Sequence, residues 1–224
     1  MEILAVDLKC LSPFHTTGAV AGSFIEVLKW RSPGGRITPY IPATHIKGVM
    51  RCEAERMLRT TENIPCFITG DPNPDHPKKI VVCDEVNGGG YRCPICSLFG
   101  VPNTQGGGGY REGKIRVLDF YPSHFPNQPD IKRRTHVMID REFLVKVDEG
   151  LYSEEAIAAG TIFSGHIIIR TPLSENEERI LMASLHAMAA YGLGKNRSRG
   201  FGQIEVLKVE KTDRVSIPEG AVCR

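Results

Sequence analysis

Apolar and polar positions alternate through the opening MEILAVDLKCLSPF, which predicts a β-strand that Pro13 ends. The period then lengthens. In IPATHIKGVMRCEAERMLRTT, Ile46, Val49, Met50, Met57 and Leu58 recur at helical spacing behind Thr44, a residue able to cap, so a helix is expected despite Gly48. Its opposite face carries Lys47, Arg51 and Arg56. The segment TPLSENEERILMASLHAMAAYGLG predicts a second helix with both ends marked. Ser174 and Glu177 form a capping box, Ile180, Leu181, Leu185 and Met188 supply the stripe, and Gly192 supplies the stop. KIRVLDFYP, TIFSGHIIIR and QIEVLKVEK read as strands.

Two stretches interrupt this pattern. Residues 63–113 are dominated by Pro, Gly and Cys and end in NTQGGGGYREG, which reads as a Cys-rich insertion. Residues 123–160 combine patchy alternation with high charge and read as a second insertion, a projecting hairpin. The stretch from Pro13 through Arg36, rich in Gly and Ser, reads as a loop. Without the insertions the order is strand, helix, strand, strand, helix, strand. That order predicts an α+β, ferredoxin-like (RRM-like) antiparallel sheet with two helices on one face. The opposite face of such a sheet is a common RNA platform. A chain of 224 residues fits one elaborated domain.

Composition adds constraints. The net charge is +2, so any polyanion site must come from local clustering of cations. Basic residues gather at 47–59, 132–134 and 195–199, and acidic ones at 148–155 and 175–178. There is no charged leader ahead of an apolar stretch and no apolar run of bilayer length, so a cytoplasmic protein without a membrane partner is expected.

The densest candidate chemistry lies in YGLGKNRSRGFGQIEV, where four glycines accompany Lys195, Arg197 and Arg199. Glycines let backbone N–H groups approach a phosphate and guanidinium forks bind its oxygens in pairs, so Gly194, Lys195, Asn196, Arg197, Arg199 and Gly200 are candidate RNA ligands. Phe201 would add a surface for a base. The plainer alternative is a helix-to-strand connection with solvated cations. Of the seven cysteines, Cys93 and Cys96 form a C-x-x-C pair that Cys66 and Cys83 could complete as a structural zinc site, with His76 able to replace either upstream thiol. A redox pair and buried thiols are the alternatives.

Four elements in order resemble the RAMP superfamily, the repeat-associated proteins of CRISPR systems. IPATHIKGVMR is similar to the Ile-Pro-Gly-Ser-Ser-Leu-Lys-Gly signature, CPICSLFG to a Cys-Pro-x-Cys-x-x-Phe-Gly element of type III members, GTIFSGHIII to a Gly-Thr-x-Phe strand, and GLGKNRSRGFGQI to the family's Gly-rich loop. The subfamily it looks most like is the Cas-seven backbone subunit of type III effector complexes. The resemblance implies a subunit that polymerises along a CRISPR RNA, with further copies of itself and other type III subunits as partners. A thumb formed by residues 123–160 would interrupt pairing with a complementary target RNA.

The same resemblance places Lys47 and Arg51 on guide phosphates, with Lys132, Arg133 and Arg134 as the cations of the thumb. His45 and Ala43 depart from the signature's Ser and Gly, and His45 can still donate to a phosphate. His15, in the loop after the first strand, could contact RNA or serve as an acid–base group, and the alternative for a lone His beside Phe and Thr is a structural role. The family's type III backbone subunits commonly cut the target with an Asp in the loop after the first strand. Here Glu26 is the acid in that window, so it is the candidate catalytic residue, with a divalent cation such as Mg as its helper. Two alternatives remain: a CRISPR RNA-processing endoribonuclease, or a non-cutting zinc-stabilised structural subunit.

Overall fold

The computed structural model describes residues 1–31, 35–60, 93–101, 112–123 and 129–216. In chain order the elements are β1 (Glu2–Cys10), β2 (Thr17–Ala21), β3 (Phe24–Val27), β4 (Lys29–Arg31), β5 (Ile37–Pro39), α1 (Ala43–Thr60) and α2 (Pro94–Phe99). There follow β6 (Ile115–Val117), β7 (Tyr121–Pro122), β8 (Ile131–Ile139), β9 (Lys146–Ile157), β10 (Ile162–Ile169), α3 (Glu175–Tyr191), a 3-10 turn (Arg197–Arg199) and β11 (Ile204–Thr212).

The principal sheet has the order β11-β1-β10-β6, with β7 also on β10, and all its pairings are antiparallel. Strand β1 lies at its centre because its alternation leaves one face wholly apolar. Leu4, Val6, Leu8 and Cys10 point into the core, opposite Ile167 and Phe163 of β10 and Val209 and Val206 of β11. That core is closed by Ile46, Met50 and Ala54 of α1 and by Ile180, Leu181, Leu185 and Met188 of α3. The two helices pack against each other, and α2 packs against both.

Sequence signals at the ends of α3 are realised in full. The Ser174 side chain accepts from the Glu177 N–H while the Glu177 side chain accepts from the Ser174 N–H, and Gly192 ends the helix at φ 85° with its N–H on the Met188 carbonyl. Helix α2 has no such prediction behind it. It falls within residues 63–113, yet Ile95, Cys96, Leu98 and Phe99 are core residues rather than parts of an appendage.

A second sheet has the order β2-β3-β9-β8. Strands β8 and β9 form a long antiparallel hairpin from Ile131↔Ile157 to Ile139↔Lys146, and β3 joins β9 in parallel with Phe24 opposite Ser153 and Ile25 opposite Glu154. The stretch expected as loop through Arg36 thus contributes three strands, β2, β3 and β4. These strands are short, and β3 takes its place from a partner far along the chain, which local pattern does not encode. Among the described residues no helix is long and apolar enough to cross a membrane.

Candidate nucleic-acid interface

Beyond α3 the chain folds back on itself through left-handed backbone at Gly192, Gly194, Asn196, Gly200 and Gly202. Two of these glycines are required by close approach. A Cβ on Gly194 would lie 2.5 Å from the His15 carbonyl oxygen, and one on Gly202 would lie 1.9 Å from that of Leu193. The loop also employs most of its own amides. Leu193 N–H donates to Gly202, Lys195 N–H to His15, Gly202 N–H to Pro13, and the N–H groups of Arg199, Gly200 and Phe201 donate within the turn. The glycines therefore build the turn and dock it on the strand-to-loop corner at Pro13–His15. Open backbone donors, anticipated from composition, are few, and the loop presents side chains instead.

Those side chains diverge in role. Arg197, Ser198 and Arg199 are exposed on the 3-10 turn. Arg197 Nη1 donates to the Gly192 carbonyl at 3.3 Å, and Arg199 Nη1 donates to the Tyr152 hydroxyl at 2.7 Å. Asn196 Nδ2 donates to Glu154 Oε1 at 2.7 Å, and Lys195 Nζ lies 3.9 Å from Glu154 Oε2. Phe201 is only 4% exposed and Arg134 lies over its ring, so it packs inward and is not an open stacking surface. The hairpin cations fall on both sides of this contact: Arg133 lies over the Phe24 ring at 5.0 Å, and Lys132 is an exposed ion-pair partner of Asp130 at 3.4 Å.

Helix α1 faces the same loop. Burial, and then the charge of Arg197, lower the pKa of His45 from its ordinary 6.5, so near neutrality it is an uncharged imidazole close to the loop. Lys47 is also lowered, by burial and by Arg51, against an opposing effect of Glu112. Arg51 is directed into the protein: Nε donates to Glu55 and Nη1 to the Gly100 carbonyl, both at 3.0 Å, tying α1 to the end of α2. Arg56 was placed by sequence on the polar face of α1 without a role. Its guanidinium lies 5.1 Å from the centroid of the Tyr191 ring, and Tyr191 is 58% exposed. Arg56, Tyr191, Arg197, Ser198 and Arg199 line one open depression. Arg56, whose Nη1 also binds the buried Glu53 carboxylate at 2.7 Å, and the two exposed loop arginines set cations beside an exposed aromatic, an arrangement that suits a phosphate with an adjacent base.

Sequence reasoning missed Tyr191, which reads as one more residue of the helix, and Glu154, which reads as one acid in an acidic run. The signal for Tyr191 was its position next to the glycine stop.

The remaining candidates lie elsewhere. His15 is buried. Its Nδ1 donates to the Glu155 carbonyl at 2.6 Å, and its Nε2 accepts from Thr17 Oγ1 at 3.4 Å. Glu26 stands on β3 with its carboxylate 40% exposed and 3.5 Å from Lys29 Nζ, which also binds Glu155 at 2.8 Å. Cys93, the N-cap residue of α2, and Cys96, in its first turn, are both buried. Cys66, Cys83 and His76 lie outside the described residues.

The family model of the RAMP superfamily matches residues 7–205. The chain belongs to the RAMP superfamily. A chain of a solved structure described as "Type IV-B CRISPR Complex" is similar with a TM-score of 0.63 and 18% identity, over 97% of this chain and 94% of that one. A chain of "Cryo-EM structure of the Type III-B Cmr-beta bound to cognate target RNA" is similar with a TM-score of 0.59 and 18% identity, over 94% of this chain and 60% of that one. No curated protein matches.

Proposed function

We propose that this protein is an RNA-binding subunit of a CRISPR effector complex, holding a guide RNA along the depression formed by α1, the end of α3 and the Gly-rich loop. One observation carries this reading: Arg56, which lies over the exposed Tyr191 ring, and Arg197 and Arg199 of the 3-10 turn line the same depression. The membership and the two similar complexes support the setting. The order β11-β1-β10-β6 with α1 and α3 on one face supports a ferredoxin-like core, and the hairpin has the shape that a thumb between guide and target would need.

Within this reading the protein acts with further copies of itself and other subunits, of type III in particular, and meets target RNA through the hairpin. Structural zinc fits in part. Two buried thiols at the start of α2 supply half of a tetrahedral thiolate set, with Cys66 and Cys83, or His76, as the other half. Bound there, zinc would fix residues 63–113 to the core. Glu26 shares Lys29 with Glu155, at 3.5 and 2.8 Å, an ordinary ion-pair setting that fits a subunit which holds RNA without cutting it at this position.

The test is to purify the protein from cells that also express a CRISPR array, wash at high salt, and sequence the retained RNA. Fragments of repeat and spacer whose lengths step by a fixed increment are expected. A protein free of RNA, alone and with its partner subunits, overturns the reading.

A further inference from the structure

Glu154 is fully buried, with 0% exposure, on the strand of the hairpin that β3 supports. A buried carboxylate is costly unless it is paired and hydrogen-bonded, so its partners identify what the fold gains from it. One oxygen, Oε1, accepts from His136 Nε2 of the opposite hairpin strand at 2.8 Å and from Asn196 Nδ2 of the Gly-rich loop at 2.7 Å. The other, Oε2, has no hydrogen-bond donor among the described residues, and Lys195 Nζ stands 3.9 Å from it. Asn196 meanwhile holds a left-handed backbone at φ 60°, the residue at which the loop turns from Lys195 into the arginine-bearing 3-10 turn.

Around this carboxylate the hairpin grips the loop at two further points. Tyr152 stacks on His136 at 4.8 Å and accepts from Arg199, and Arg134 covers Phe201. The loop side chains at 195 and 196 both reach this carboxylate, Asn196 by a hydrogen bond to Oε1 and Lys195 with its ammonium 3.9 Å from Oε2.

We propose that Glu154 is a positioning residue for RNA binding. It fixes the Gly-rich loop to the hairpin base, so that Arg197 and Arg199 are presented in one geometry before RNA arrives. This rests on the reading that the loop binds RNA, and it adds a residue that itself never touches the ligand. Preorganisation of this kind raises affinity by removing the ordering cost from the binding step. Because Glu154 belongs to the hairpin and Asn196 to the loop, displacement of either element is felt by the other.

The experiment measures binding of fluorescent single-stranded RNA across a salt series. Glu154→Ala is expected to weaken binding about tenfold, a loss of the size expected for a hydrogen bond to a charged group. Its salt slope stays unchanged, because the loop cations remain. Glu154→Gln keeps an acceptor for Asn196 and restores most of the affinity. Asn196→Gly preserves the left-handed turn but removes the hydrogen bond, and is expected to show the same loss. It carries the test if Glu154→Ala does not fold. Asn196→Asp sets a second carboxylate against Glu154, with His136 and Lys195 as the other titratable groups facing it, so its binding is weak at neutral pH and recovers as acid protonates one of the carboxylate pair. Wild-type affinity in folded Asn196→Gly, or no acid recovery in Asn196→Asp, overturns the proposal while leaving the RNA-binding reading intact. A wild-type protein that shows no salt-sensitive binding overturns both.

Discussion

The guanidinium of Arg134 lies 5.1 Å from the centroid of the Phe201 ring, so a hairpin residue caps an aromatic that the Gly-rich loop has turned inward. A cation over a ring is worth about 0.5–2 kcal/mol, depending on desolvation. Arg134→Ala should lower unfolding stability within that range, with Arg134→Lys losing less, as read from the urea midpoint. An unchanged midpoint would mean that the contact contributes nothing in solution.

Arg199 combines a charge with a hydrogen bond to Tyr152. Arg199→Ala is expected to weaken RNA binding and reduce the magnitude of its salt slope by about one. Tyr152→Phe breaks the same bond without removing charge and should leave the slope unchanged. Equal slopes in wild type and Arg199→Ala would remove this residue from the phosphate contacts.

What the sequence revealed of this surface follows from what is local. The helix α3 was legible because Ser174, Glu177 and Gly192 mark its ends within a single stretch, and the cations of the loop were visible as composition. The inward packing of Phe201, the use of the loop's amides by Pro13 and His15, and the role of Glu154 were not legible. Each depends on a partner far along the chain, and periodicity records only which face a residue occupies. Strand β3 was missed for the same reason, since it is held by β9, while β2 and β4 pair with the adjacent β3 and β5 and are too short to show a period.

Glu177 predicts a response to acid. Burial alone would raise its pKa, but hydrogen bonds from Lys114, Ser174 and Ser97 outweigh that and hold it at about 2, below the ordinary 4.5. Its contribution to stability is therefore complete above about pH 4.5 and fades as pH falls towards 2. Glu177→Gln should flatten that part of the stability profile, measured by thermal melts between those limits. An identical acid profile in the variant would exclude Glu177 as the cause.

Zinc makes a separate prediction. Metal analysis of the purified protein should find zinc in stoichiometric amount, and chelation or Cys96→Ser should lower the melting temperature. A metal-free protein with the same melting temperature as the untreated one would assign the two thiols to core packing.

Glu26 is the last test. Glu26→Ala is expected to leave RNA affinity within about twofold, since exposed ion pairs contribute little. Assembled complexes carrying the variant should handle complementary RNA as wild-type complexes do. Loss of target cutting in the variant would instead make Glu26 the catalytic acid.

The central position of β1 has a consequence for how the molecule is made. Residues 2–10 leave the ribosome well before both their neighbours, residues 162–169 and 204–212. Closing such long loops is entropically costly and slow, so β1 must wait unpaired until β10 and β11 have been made. Its apolar face is a target for chaperones during that interval, and chains halted before β11 lack one of the two strands that shield it.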